Sequence, residues 1–180
     1  MAPSRLDRSS IVAAALNILT ERGLAAVSLR NVAAAVGARA PSLYWHVKNK
    51  EALFGLMCEQ IFRECLAQVP ESRDWRQWLR NYGIVIWRKQ REIRDIRLLM
   101  LQSRMEPEVL RAFTMYMMGE LTRLGIDPVL AFDAQRSVST LVTGWTMLPN
   151  DPVLGDMQPE PSFIRSLEAL IRGWDAEAGR

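Results

Sequence analysis

Arg30, Arg39, Ser42 and Lys48 crowd into residues 28 to 54, SLRNVAAAVGARAPSLYWHVKNKEALF, and their side chains suit a polyanion. An arginine can give two hydrogen bonds to a guanine edge or grip a phosphate, a serine hydroxyl can contact either, and a lysine can hold a phosphate. Residues 1 to 50 hold seven Lys or Arg against two acids, a net of +5, whereas the other 130 residues hold sixteen against eighteen, a net of −2. Basic charge concentrated in this way is the footprint of phosphate contact, although charge alone fits a solvated face equally well.

Other chemistries lack their parts. The single histidine, His46, sits inside this basic stretch, so the rest of the chain has no histidine to act as a base. A glycine-rich phosphate loop is absent, and the paired acids Glu106 and Glu108 read as charges favouring a helix N-terminus. Cys58 and Cys65 fall about two turns apart on one expected helix, too far for a disulfide, and there is no CxxC. Neither an enzyme nor a cofactor nor a metal site is expected. Charged or polar residues break every apolar run before the roughly 18 to 20 residues of a membrane span. MAPSRLDRSS continues into an amphipathic helix instead of a cleavable leader, so a soluble, cytoplasmic chain is expected.

The elements that must position the basic residues follow from helical spacing. Leu29, Val32, Ala33 and Val36 recur on one helical face, Gly37 supplies a left-handed stop, and Pro41 suits the first turn of a following short helix. Helix, tight turn, short helix is the layout of a helix-turn-helix, with the second helix offered to the major groove. A preceding helix from about Asp7 to Arg22, with Ile11, Ala15, Ile18 and Leu19 on one stripe, ends at Gly23 and would brace the pair.

This stretch, and LYWHVKNKEAL from Leu43 to Leu53 in particular, resembles the DNA-binding motif of the tetracycline repressor (TetR) family and its tetracycline-repressor subclass. The resemblance implies an all-α protein: a three-helix head (1–48), a connecting helix (49–69), and a helical effector-binding and dimerisation body (49–180, which includes that helix). It implies DNA contacts from Ser28, Arg30, Arg39, Ala40, Pro41, Ser42, Tyr44, Trp45, His46 and Lys48. Pro41 would touch a thymine methyl, and Tyr44 and His46 would position the backbone; packing of the small head is the competing use of Tyr44 and Trp45. Ala40 stands where the subclass has glutamine, and Arg39 has no charged counterpart there, so a different operator is expected.

The rest of the chain reads as helices. One begins near the cap Asn49 and stops at Pro70, and another starts at Trp75 and runs through Trp78, Leu79, Tyr82 and Ile86 before RKQREIRDIR turns the chain. A short helix spans Ile96 to Ser103. Pro107 opens a helix carrying Leu110, Phe113, Met117 and Leu121 to Gly125, and Asp127-Pro128 caps one running to about Leu148. PNDPVLGDMQPEPS reads as a loop, and Ser162 to Trp174 as the last helix. Helices 128–148 and 162–174 are the expected homodimer surface, with Ser137, Ser139, Thr140, Thr143 and Gly144 permitting close approach and Leu141, Val142, Ile164, Leu167 and Ile171 supplying apolar area. A dimer would read two half-sites of double-stranded operator DNA.

The resemblance further implies a repressor that a small molecule releases by tilting the connecting helix. The expected lining is Trp78, Tyr82, Ile86, Met100, Met105, Phe113, Met117 and Trp145, soft and aromatic side chains that suit an apolar or aromatic effector, though each also suits ordinary core. Tetracycline repressors meet the drug and its magnesium through polar side chains and a histidine. Tyr82, Ile86 and Met100 stand at three such positions and the body has no histidine, so magnesium-tetracycline is not the expected inducer. A regulator answering to a protein partner, or acting as an activator, is the alternative.

Overall fold

The computed structural model describes residues 6–147 and 159–179, and among them every regular element is helical. Helix α1 (Arg8–Arg22) begins where the Asp7 carboxylate accepts from the Ser10 N–H at 2.8 Å and the Ser10 hydroxyl accepts from the Asp7 N–H at 3.2 Å, a reciprocal cap. A 3-10 turn (Leu24–Ala26) leads to α2 (Leu29–Ala35) and α3 (Ala40–Leu43). Gly37, at φ +66°, supplies the left-handed residue between α2 and α3.

Helix α4 (Lys50–Ala67) starts from Asn49, whose side-chain Oδ1 accepts from the Ala52 N–H at 2.8 Å, as its sequence suggests. Then follow α5 (Trp75–Glu92), α6 (Ile96–Gln102), α7 (Pro107–Arg123), α8 (Pro128–Met147) and α9 (Pro159–Ala178). Most of the charged RKQREIRDIR segment is therefore helix, and the turn shrinks to residues 93–95. Helix α9 starts three residues before Ser162, because Pro159 and Pro161 fall in its first turn, where a missing N–H costs nothing. Residues 149–158 of the expected loop, and Leu148, lie outside the described residues. Leu110, expected on the inner stripe of α7, lies in its first turn and is 49% exposed, whereas Phe113, Met117 and Leu121 further along are buried.

The chain divides into two compact units. One comprises the described residues up to Arg63 together with Glu92–Val109, and the other Glu64–Arg91 together with the described residues from Leu110 onward. In the first unit Ile11, Ala15, Val27, Val32, Leu43, Val47 and Leu53 form the core. In the second, α8 packs on α9, and α5 approaches both at Gly83, where a Cβ would lie 2.8 Å from Leu167 Cδ2 and 3.3 Å from Val138 Cγ1. Arg76–Asp175, Arg80–Glu168 and Arg88–Glu160 ion pairs run along the α5–α9 seam. Each is solvent-exposed and adds little singly; the packing between them carries the seam.

Candidate nucleic-acid interface and effector body

The head holds its reading helix by a few short-range bonds. Ser28 caps α2 by accepting from the Asn31 N–H at 3.1 Å, and the Asn31 side chain donates to the Ala26 carbonyl at 2.8 Å. The hydroxyl proton of Ser28 is left to donate elsewhere. Leu43 and Val47, four apart, turn inward and are buried, and Tyr44 and Trp45 between them point outward, 57% and 90% exposed. Packing inside the head therefore does not claim Trp45. Trp45 stands in solvent beside the exposed Lys48.

Arg30, Arg39, Pro41 and Lys48 are exposed, Ala40, Ser42 and His46 half-buried. Among the described residues no carboxylate pairs with Arg30, Arg39 or Lys48. Arg39 stands at the N-cap position of α3 without a side-chain capping bond, and Arg8 Nε donates to the His46 carbonyl at 3.3 Å, tying α1 to the residues after α3. The arrangement offers a short helix flanked by Arg39 and Lys48, which pair with no carboxylate among the described residues, and followed by two exposed aromatics.

Two further contacts brace the first unit from far along the chain. Asp95, the only described non-glycine residue at positive φ (+57°), does not cap its own helix α6. Its carboxylate accepts instead from the Leu24 N–H at 2.9 Å, beside Gly23. A Cβ on Gly23 would lie 3.0 Å from that carboxylate oxygen, and Gly23 itself is at φ +80°, so glycine is required twice over. After α6, the Arg104 N–H donates to the Glu51 carbonyl at 3.2 Å, and Gly55 lets the two backbones meet. None of this was visible in local pattern, since Asp95 and Leu24 are 71 residues apart.

In the second unit α5 presents Trp78, Tyr82 and Ile86 inward, all buried, as are Phe113 and Met117 of α7. Trp78 and Tyr82 stack at 5.3 Å between ring centroids, 9° from parallel. The Tyr82 hydroxyl shares a 2.7 Å hydrogen bond with Ser139, which also accepts from Gln135 Nε2 at 2.7 Å, and that amide lies 3.6 Å from Met117 Sδ. Burial raises the Tyr82 phenol above its ordinary range, so the hydroxyl stays protonated. Trp145 joins another cluster, edge-on to Phe163 at 6.0 Å, with Trp87 stacked on Phe163 at 4.4 Å. Met100 and Met105 are half-buried and belong to the first unit. Ser139, expected on the dimer surface, faces the core instead, and Val142, Leu167 and Ile171 are buried within one chain because α8 and α9 use those faces on α5 and each other. Thr140, Thr143 and Gly144 remain exposed.

Residues 11–57 match the family model for bacterial regulatory proteins of the tetR family. The tetracycline repressor protein class G of Vibrio anguillarum is 31% identical over 188 residues, covering 96% of this chain and 88% of that protein. The chain belongs to the TetR family. It is a DNA-binding transcriptional regulator, and not an enzyme. The class D tetracycline repressor of Escherichia coli is 27% identical over 202 residues, covering 97% and 91%. Among solved structures, a TetR variant of Acinetobacter baumannii AYE in complex with minocycline superposes with a TM-score of 0.79 at 26% identity, over 97% of this chain and 99% of that one. Apo ActR of Streptomyces coelicolor gives 0.78 at 25%, over 99% and 98%. No helix among the described residues is long and apolar enough to cross a membrane, and no cluster of His, Cys, Asp or Glu among them could hold a metal ion.

Proposed function

We propose that this TetR-family regulator is a cytoplasmic homodimeric repressor, held on a pseudo-palindromic operator by two heads and released when a small apolar or aromatic molecule binds the body. The exposed Trp45, beside Tyr44 and the unpaired Arg39 and Lys48, carries the DNA half of the reading. Ser28, Arg30, Arg39 to Ser42, Tyr44, Trp45, His46 and Lys48 supply the contacts, phosphate for the lysine and a base edge for Arg39. Two heads are needed because one offers too little contact for tight specific binding. The exposed Thr140, Thr143 and Gly144 of α8 permit the close helix approach of a dimer.

Ligand gating is supported by likeness to repressors of tetracycline and to a relative solved with minocycline. Tyr82, Ile86 and Met100 at positions where tetracycline repressors carry polar side chains and a histidine, and the absence of any histidine beyond His46, favour an effector other than magnesium-tetracycline. Such an effector acts only through its differential affinity for the DNA-bound and released arrangements, here a change in the tilt of α4. The closed hydrogen-bond chain from Tyr82 through Ser139 to Gln135 favours a second reading, in which those side chains fill the interior and a protein partner replaces the small molecule.

Fluorescence anisotropy on duplexes tiled across the upstream region, at two salt concentrations and with a panel of apolar and aromatic compounds, tests both. Tight binding to one pseudo-palindromic tile, abolished by a compound, is the expected result. Specific binding that no compound disturbs would move the second reading ahead, and loss of all sequence preference would sink both.

A further inference from the structure

The second unit holds a cleft of about 570 Å³ where the end of α4 and the α4–α5 connection face the C-terminal half of α7. That volume falls in the range of small-molecule sites, roughly 300 to 1,000 Å³. Its apolar lining comes from Leu66, Trp78 and Tyr116; its charged lining from Glu71, Glu120 and Arg123. Arg123 is already committed, since it pairs with Glu120 at 2.7 Å, one turn earlier on the same helix. Glu71 forms no ion pair among the described residues and feels the Arg123 charge only from a distance, so the lining carries one net negative charge.

The rim is held in place before anything binds. The Ser72 hydroxyl donates to the Pro70 carbonyl at 3.0 Å and accepts from Asn81 Nδ2 at 3.2 Å. Just beyond the lining, the Arg73 N–H donates to Gln77 Oε1 at 3.0 Å and the Gln77 N–H to Asp74 Oδ1 at 2.9 Å, which fixes the start of α5. A loop so tied loses little freedom on binding, which is where many sites forfeit affinity. Tyr116 is 52% exposed, an amphipathic ring presented to the cleft with no aromatic partner among the described contacts. Aromatic faces and carboxylates both attract positive charge, and neither favours an anion.

We propose that this cleft binds a small amphipathic cation, its apolar body against Trp78 and Tyr116 and its positive charge beside Glu71 and Glu120. The inference rests on the effector-gated reading and adds the effector's charge and place of entry. Trp78 is the link to the interior: it forms a wall of the cleft and stacks on Tyr82, whose hydroxyl reaches Ser139 of α8, so a guest that displaces Trp78 shifts α5 against α8.

Two ions of the same shape and opposite charge, tetraphenylphosphonium and tetraphenylborate, isolate the electrostatic claim. Calorimetric titration of the full-length protein is expected to show the cation bound about tenfold more tightly. Glu71→Gln should weaken the cation by about threefold, the scale of one exposed ion pair. Arg123→Gln should tighten it, and the double variant Glu71→Gln/Glu120→Gln, which leaves Arg123 alone, should reverse the preference. Tyr116→Ala should weaken both ions alike. These side chains are at the surface, and circular dichroism checks that each variant is folded. Equal affinity for the two ions, a preference for the borate in the unaltered protein, or no binding of either would overturn the proposal. Operator anisotropy with the same cation separates the two claims: binding without release of DNA supports the site and sinks gating through it, whereas release by some other compound with no phosphonium binding sinks the cation site alone.

Discussion

Replacing Gly55 by alanine tests whether α4 and the turn after α6 are pressed backbone to backbone. In an exposed helix interior the substitution stabilises by about 1 kcal/mol, because alanine is the better helix former. At Gly55 the new Cβ would stand 2.2 Å from the Arg104 carbonyl oxygen and 2.7 Å from its carbon. Ordinary contact needs more than 3.4 Å, so the two segments must part by about 1 Å, and no side-chain rotation can relieve a clash with backbone. Overpacking of that kind costs about 1 to 3 kcal/mol, and parting also stretches the Arg104 N–H to Glu51 carbonyl bond, worth about 1 kcal/mol. The net expectation is a loss of about 1 to 3 kcal/mol, or a melting temperature lower by roughly 4 to 8 °C at the middle of that range for a chain of this size. Gly119→Ala in α7, where a Cβ meets nothing within 4 Å, is the control and should raise the melting temperature by roughly 2 to 4 °C. Both variants are read by thermal unfolding at one protein concentration, since association would shift the midpoint. If Gly55→Ala melts with Gly119→Ala at or above the parent, the close approach is wrong.

Other perturbations probe the head directly. Asp95→Ala should cost about 1 to 2 kcal/mol in urea unfolding, by stranding the part-buried Leu24 N–H and placing alanine at positive φ, while Asp95→Asn, which keeps an acceptor and tolerates that φ, should cost less; equal losses would refute the bond. Trp45→Ala should leave the melting temperature within about 1 to 2 °C of the parent, since nothing is unpacked, yet weaken operator binding measured by anisotropy. A large drop in stability would return Trp45 to the core. Lys48→Ala should weaken binding to all duplexes and flatten the salt slope by about one charge, whereas Arg39→Ala should cost about 1 to 3 kcal/mol and relax preference at one base pair. Unchanged base preference in competition against single-base variants would demote Arg39 to a phosphate contact.

Features that depend on neighbours within a few residues were legible along the chain. Asn49 caps α4, Gly37 separates α2 from α3, and Pro107 and Pro128 open α7 and α8, because hydrogen bonds and φ limits at those positions are local. The pile of positive charge at one end was equally legible, since a net charge needs no geometry. Which face of a helix finds a partner was not. A stripe holding Leu110, Phe113 and Met117 looks continuous in one dimension, but at the first turn of α7 Leu110 is left half exposed. Small residues on α8 suggested a surface, yet Ser139 is claimed by Tyr82 from 57 residues earlier. The tertiary structure alone decided that Trp45 faces solvent, that Asp95 serves Leu24 instead of its own helix, and that Gly55 is a point of backbone contact. Such pairings are set by which chains pack together, and side chains of the same type satisfy a helical period whether or not anything lies opposite.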